Sequence, residues 1–323
     1  MAYETGVSTG VTAMLGTIRA FADELGWTID RDDTNELALH HAMAGYFTLI
    51  ANPQEDDINT TTDPNPSIEI FGQTGFDAGA SYSNQPGTSA GFSSGRTNGL
   101  RGPFTVYHLF GTQQYIHCVI EIVPGEFAHL HFGRLQKQGD YIGGEYFTGT
   151  LWYYLMNDTS PEHARADDRD HAVPFDCATA RYGASGAVRM DVAGYTNEWA
   201  RFDTGTPTTS STAWGPMRAY GSNVNRTPFQ RYSNSTPNTV NAITPLHNLL
   251  VVVNIRNQLG YFAGAPLDVR IVNMKNLVPG ETITIGPDEW MVFPAKKRGA
   301  DVNGSQGEVN SWTFGYAYRK VSL

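Results

Sequence analysis

His129 and His131 stand two residues apart in an apolar stretch, a spacing that puts both imidazoles on one face of a strand. His108 and His117 lie in the two candidate strands just before and are expected to be their neighbours. Two such histidines can ligate zinc, but a site needs a third protein ligand, and Glu121 or Glu126 would have to supply it. Alternating polar residues on a half-solvated sheet face produce the same spacing without metal, so no metal ligand is assigned. The run Asp167-Asp168-Arg169-Asp170-His171 gathers hard oxygen ligands suited to calcium, yet it lacks the glycine and the spaced ligands of a calcium loop. It reads as a solvated loop. Gly183-Ala184-Ser185-Gly186-Ala187 approaches a nucleophile elbow, with Ala187 in place of the last glycine and no helical pattern after it. No G-x-x-x-x-G-K-[ST] phosphate loop occurs. The spatial separation of two acids is not readable in a sequence, so the carboxylates leave glycoside hydrolysis open. The expectation is a protein that is not an enzyme, with no catalytic, cofactor-binding or metal residue and no cofactor.

The elements that would carry these residues are nearly all strands. One helix is clear: Val11, Met14, Leu15, Ile18, Phe21, Ala22 and Leu25 recur at three- and four-residue spacing. Ser8 or Thr9 is placed to cap its start, and Gly26 stands where a left-handed C-terminal residue is wanted. Trp27-Thr28-Ile29-Asp30 then alternates like a short strand. Further strands are expected at 37–41, 45–51, 67–73, 105–110, 115–123, 128–135 and 145–153, then at 249–255, 267–272, 282–285 and 290–294. Residues 105–135 read as a β-meander, with turns at Gly111–Gln114 and Pro124-Gly125-Glu126. The fold class expected is mainly β with one N-terminal helix, an antiparallel sandwich or barrel-like meanders with long irregular loops. Three segments are distinguished: 1–60, helix plus strands; 61–200, a central β-meander domain; and 201–323, a long loop and a C-terminal β region on the same core.

Two long loops interrupt this pattern. Residues 75–103 are rich in Gly, Ser, Asn and Gln, and residues 204–241 in Thr, Ser, Asn and Pro. Loops of that length are uncommon in compact domains unless they are functional or poorly ordered. The preferred reading makes them arms that order against neighbouring subunits, with Trp214, Tyr220, Phe229 and Tyr232 as anchors; the other is that these rings pack on the protein's own core. On the arm reading, deleting residues 75–103 leaves a folded but assembly-deficient protein. Trp290 and Phe293 are read as core anchors.

Composition narrows the partners. Hydrophobic residues make up 40% and aromatics 12%, enough for a packed core, while charged residues are only 17%. A surface short of charge and rich in Asn, Thr, Ser, Gly and Tyr suits permanent subunit contacts; a sparsely charged secreted β-protein has the same composition. With a net charge of -10, direct nucleic-acid binding is not expected. The cysteines, Cys118 and Cys177, are too few for a disulfide framework or a metal site, and Cys118 reads as a small buried hydrophobe. The opening Met1-Ala2-Tyr3-Glu4-Thr5-Gly6 does not read as a signal peptide. No apolar run reaches the roughly 20 residues of a membrane helix, so membrane insertion is not expected.

Two segments carry a resemblance. One is Gly125-Glu126-Phe127-Ala128-His129-Leu130-His131-Phe132-Gly133-Arg134-Leu135-Gln136-Lys137, continuing through Gly139-Asp140-Tyr141-Ile142-Gly143-Gly144-Glu145-Tyr146. The other is Gly260-Tyr261-Phe262-Ala263-Gly264-Ala265-Pro266-Leu267-Asp268-Val269-Arg270, with Thr284-Ile285-Gly286, Trp290-Met291-Val292-Phe293-Pro294 and Gly315-Tyr316-Ala317-Tyr318-Arg319-Lys320. Together with the opening residues, about half of the chain resembles virion structural proteins of the tail modules of tailed bacteriophages. The resemblance implies a structural subunit of the tail, baseplate or tail tip. Such a subunit forms a symmetric homo-oligomer, has other virion tail proteins as partners, and assembles in the bacterial host cytoplasm. Alternatives within the virion are a receptor- or carbohydrate-binding module at the tail end, in contact with the host surface, and a head–tail junction or capsid-associated protein. No catalytic residue is carried over.

Overall fold

A computed structural model describes residues 2–53, 56–57, 60–64, 66–90, 95–97, 99–150, 174–175, 186–192, 195–201, 244–255, 259–274, 276–295 and 314–320. The protein is mainly β; the described residues contain one α-helix, near the N-terminus, and several antiparallel sheets, none of them closed into a barrel. The central sheet has seven strands in the order Ala2–Gly6, Val106–Gly111, Tyr115–Val123, Glu126–Arg134, Ile142–Gly149, Gly186–Val192 and Tyr195–Arg201. Beyond its first strand it is an up-and-down meander, each strand pairing with the next described strand of the sheet. The first strand reaches across the sequence to pair with the second, Tyr3 opposite Phe110.

Both faces of this sheet are covered. Ile116, Cys118, Ile120, Leu130, Phe132 and Phe147 point to one side. There they join the helix residues Met14, Ile18 and Phe21 and the N-terminal sheet residues Leu39, Phe47, Leu49, Ile68 and Ile70. That second sheet runs Thr28–Asp33, Glu36–His41, Gly45–Asn52, Ser67–Gln73, Gly95–Thr97. Residues alternate with these across the pleat: Val119, Phe127, Tyr146, Val188 and Met190 pack on Ile271, Phe293, Tyr316 and Tyr318. The last four belong to the C-terminal sheet, ordered His247–Asn248, Val269–Asn273, Phe314–Lys320, Asp288–Pro294, Thr282–Ile285. The result is a layered stack with the central sheet inside, which is why Tyr115 to Ile120 are buried without a break.

The helix spans Val11–Glu24 and buries Val11, Met14, Leu15, Ile18, Phe21 and Ala22. Gly26, at φ 79°, ends it: the Trp27 N–H donates to the Ala22 carbonyl and the Gly26 N–H to the Asp23 carbonyl, a Schellman closure. The cap expected from Ser8 or Thr9 is absent. Gly10 occupies the N-cap, no side chain bonds the first turn, and the Ser8 hydroxyl donates to the Gly10 carbonyl.

The strands 67–73, 115–123 and 282–285 form with the bounds expected, and Trp290 and Phe293 are buried. The strand expected at 267–272 begins later, at Val269, because Leu267 and Asp268 form a turn with Asp268 at φ 55°. Among the described residues, six strands of five or more residues have no counterpart in the sequence reading: Ala2–Gly6, Thr60–Pro64, Gly186–Val192, Tyr195–Arg201, Leu259–Ala265 and Phe314–Lys320.

The described part of residues 75–103 is folded onto its own chain rather than extended as an arm. Gln85 is buried and its amide donates to the carbonyls of Asp77 and Ala80, each at 2.9 Å. Ser89 exchanges bonds with Gly72, and the Trp199 indole donates to the Gly87 carbonyl at 3.0 Å. Thr97 bonds the His129 carbonyl at 3.1 Å, and Leu100 is fully buried. The loop is a lid on the N-terminal and central sheets. Residues 204–241, with Trp214, Tyr220, Phe229 and Tyr232, lie outside the described residues.

Deletion of residues 75–103 is therefore expected to abolish folding, seen as loss of cooperative urea unfolding by circular dichroism. Two glycine substitutions separate crowding from backbone strain. A Cβ on Gly72 would lie 1.9 Å from the Trp199 ring, whereas one on Gly26 meets only Gln113 at 3.7 Å. In urea titrations Gly72→Ala should cost about 3 kcal/mol and Gly26→Ala about 1 kcal/mol.

Candidate functional site

In the ladder between Tyr115–Val123 and Glu126–Arg134, His117 stands directly opposite His131, and Val119 opposite His129. The pleat turns all three imidazoles toward the C-terminal sheet. There the strand Phe314–Lys320 presents Tyr316 and Tyr318 at the same two-residue spacing. The three histidines and Tyr318 are each 0% exposed. The half-solvated face expected for the histidines is thus corrected: a second sheet covers it.

The buried nitrogens and the hydroxyl form one chain. The His129 Nε2–H donates to the Pro294 carbonyl at 2.8 Å, so its Nδ1 accepts, and the Tyr318 hydroxyl donates to it at 2.7 Å. At the other end the His117 Nε2–H donates to the Leu267 carbonyl at 3.0 Å, leaving its Nδ1 to accept from the His131 Nδ1–H, also at 3.0 Å. His131 Nε2 and the Tyr318 oxygen then face each other with lone pairs only, and theirs is the longest contact of the chain, 3.3 Å. Five contacts are thus spanned by four protons, one from each neutral imidazole and one from the phenol.

Burial keeps the imidazoles uncharged. It lowers the pKa of His117 and of His129 to about 4, and that of His131 well below the ordinary value, with His117 and His129 pushing it further. Burial likewise raises Tyr318 and Tyr146 well above the ordinary phenol range, so both stay protonated. Asp268 closes one end: it accepts the Tyr115 hydroxyl and is held by Arg319, which also reaches Asp288 at 2.6 Å. Phe175 packs on His131 with ring centroids 5.2 Å apart. Beside the chain, the hydroxyl of Tyr146 is buried and has no hydrogen-bond partner among the described residues.

The other candidates of the sequence are distributed as follows. His108 is not in the chain; its Nδ1 meets the Tyr3 hydroxyl at 2.9 Å and its ring packs on Phe293. Glu121 accepts the Gly125 N–H at 2.8 Å within its own hairpin turn, and Glu126 occupies the alternate register position to His129 and His131. Neither is brought to the imidazoles as a third ligand. Among the described residues no group of three or more His, Cys, Asp or Glu side chains is placed to hold a metal ion. Cys118 points to the helix side of the sheet, where burial raises its thiol pKa. Gly186 opens a strand. Asp167, Asp168, Asp170, His171, Cys177 and Ser185 lie outside the described residues.

Tyr115, Tyr146, Asp268, Tyr316 and Tyr318 were missed by the sequence reading. The repeat Tyr316-x-Tyr318, matching His129-x-His131, is the signal that could have found the last two. In the closed arrangement the chain offers no reactive atom to solvent. It joins two sheets through bonds that bury no net charge on the imidazoles. No protein-family model matches the chain, and no curated protein matches it in sequence.

Replacing Tyr318 by Phe removes the only proton shared with His129 Nδ1 and leaves a buried acceptor unmet. Tyr318→Phe should lower stability by about 1–3 kcal/mol, read as a lower urea midpoint with an unchanged slope.

Proposed function

We propose that the protein is a non-enzymatic structural subunit of a tailed-phage virion, in the tail, baseplate or tail tip, and that it assembles with copies of itself. One observation carries this reading: the imidazoles that could do chemistry are sealed between layers, while among the described residues a sheet edge is left open. Thr282–Ile285, an uncharged strand of β-branched residues, ends the C-terminal sheet with no further strand beside it among the described residues. Ile285 on that edge is exposed, as are Val278 just before it, Val7 after the first strand and Ile142 in the meander. Open edges with apolar side chains favour pairing with another chain, and a symmetric ring satisfies them. The low charge content and the resemblance to tail-module proteins support the same reading. Other virion tail proteins are the partners it implies, without direct nucleic-acid contact. Among the described residues no helix is long and apolar enough to cross a membrane.

Light scattering of the purified protein over a concentration range tests the proposal. A defined oligomer, such as a trimer or hexamer, is the expected result. A monomer at every concentration, together with glycan binding, would instead make it a stand-alone receptor-binding module.

A further inference from the structure

The closed chain of His117, His131, Tyr318 and His129 can accept one further proton and no more. A fifth proton fills the contact between His131 and Tyr318, and a sixth would set two donors against each other. Once the C-terminal sheet lifts away, three imidazoles meet water and each takes a proton, so three minus one gives an uptake of at least two. We propose that this joint is an acid-triggered latch, in which acid releases the C-terminal sheet from the central sheet with uptake of at least two protons.

The surroundings work in the same sense. Tyr115 and Tyr146 face the chain from two strands, and burial keeps their phenols neutral, as it does that of Tyr318. Tyr316 packs beside His129 and donates its hydroxyl to the Pro174 carbonyl. Phe175, Phe293 and Phe110 supply only apolar rings. Asp268 is the carboxylate that favours a proton on His117, and it is already engaged by Tyr115 and Arg319. His108, behind Phe293, has its pKa lowered to about 4 by burial and adds its own uptake when that ring departs.

The sign follows from linkage. Exposed imidazoles titrate near pH 6.5, whereas burial lowers His117 and His129 to about 4 and His131 well below its ordinary value. The joint is therefore at full strength above pH 6.5 and weakens as pH falls toward 4, because the open state binds more protons. Two protons correspond to a change of about 100-fold per pH unit in the opening equilibrium, once exposed histidines are fully charged.

Hydrogen–deuterium exchange of the intact protein between pH 7.5 and 4.5, corrected for the intrinsic exchange rate, tests the latch. Amides of Val269–Asn273, Asp288–Pro294 and Phe314–Lys320 should lose protection by at least about 100-fold per pH unit below pH 5.5. Amides of Glu36–His41, Gly45–Asn52 and Ser67–Gln73 should keep theirs. Loss of protection in both sets at the same pH would overturn the proposal, since that is global unfolding. Release only below about pH 4, where carboxylates rather than imidazoles titrate, would overturn it equally.

Discussion

The middle of the central sheet, from Tyr115 to Ile120 and the strand paired with it, is covered on both faces, and the rest of the structure answers that constraint. A sheet covered on one side can turn its polar residues outward; one covered on both sides must satisfy them within the adjacent layers. On the helix side the matter is simple, because Ile116, Cys118, Ile120, Leu130 and Phe132 need no partners. On the other side lie His117, His129, His131 and Tyr115, and the C-terminal half of the chain is arranged to meet them. Tyr318, the Pro294 carbonyl, the Leu267 carbonyl and Asp268 each take one of their polar atoms.

This arrangement makes the contact between the two sheets directional. An apolar face tolerates sliding by a residue at modest loss, whereas the chain from Leu267 to Pro294 fits in one register only. Asp268 at φ 55° belongs to the same requirement. A non-glycine residue in that region is strained, and here the strain is offset by hydrogen bonds from Tyr115 and Arg319. Polar specificity inside the stack is compatible with a sequence of low charge content.

Much of the fold was legible in the sequence because it is local. The helix follows from apolar spacing alone, and its end follows from Gly26. The meander from Val106 to Arg134 follows from alternation and glycine turns. What was not legible depends on partners far along the chain. His129 and His131 look the same on a solvated face or under a second sheet, and the distinction rests on Tyr318, which lies 189 and 187 residues away. Ala2–Gly6 carries Glu4 and looks too polar for a strand, until Tyr107 bonds that carboxylate at 2.6 Å. Phe314–Lys320 is interrupted by Gly315, which sits where a Cβ would meet the Phe293 carbonyl at 2.1 Å, so the strand is shaped by its neighbour. The loop at 75–103 looked free because its anchors, Gln85, Ser89 and Thr97, are polar residues satisfied by backbone groups brought close only in the fold.

The joint between the sheets depends on three uncharged imidazoles being held in one bonded chain between the layers. The most direct measurement is the ring nitrogen spectrum of histidine-labelled protein at pH 6, where each imidazole reports its charge and tautomer. His117, His129 and His131 should be neutral, with His117 and His129 each carrying the proton on Nε2 toward a carbonyl. An imidazolium signal from any of the three, or averaging between tautomers at solvent-exchange rates, would contradict it.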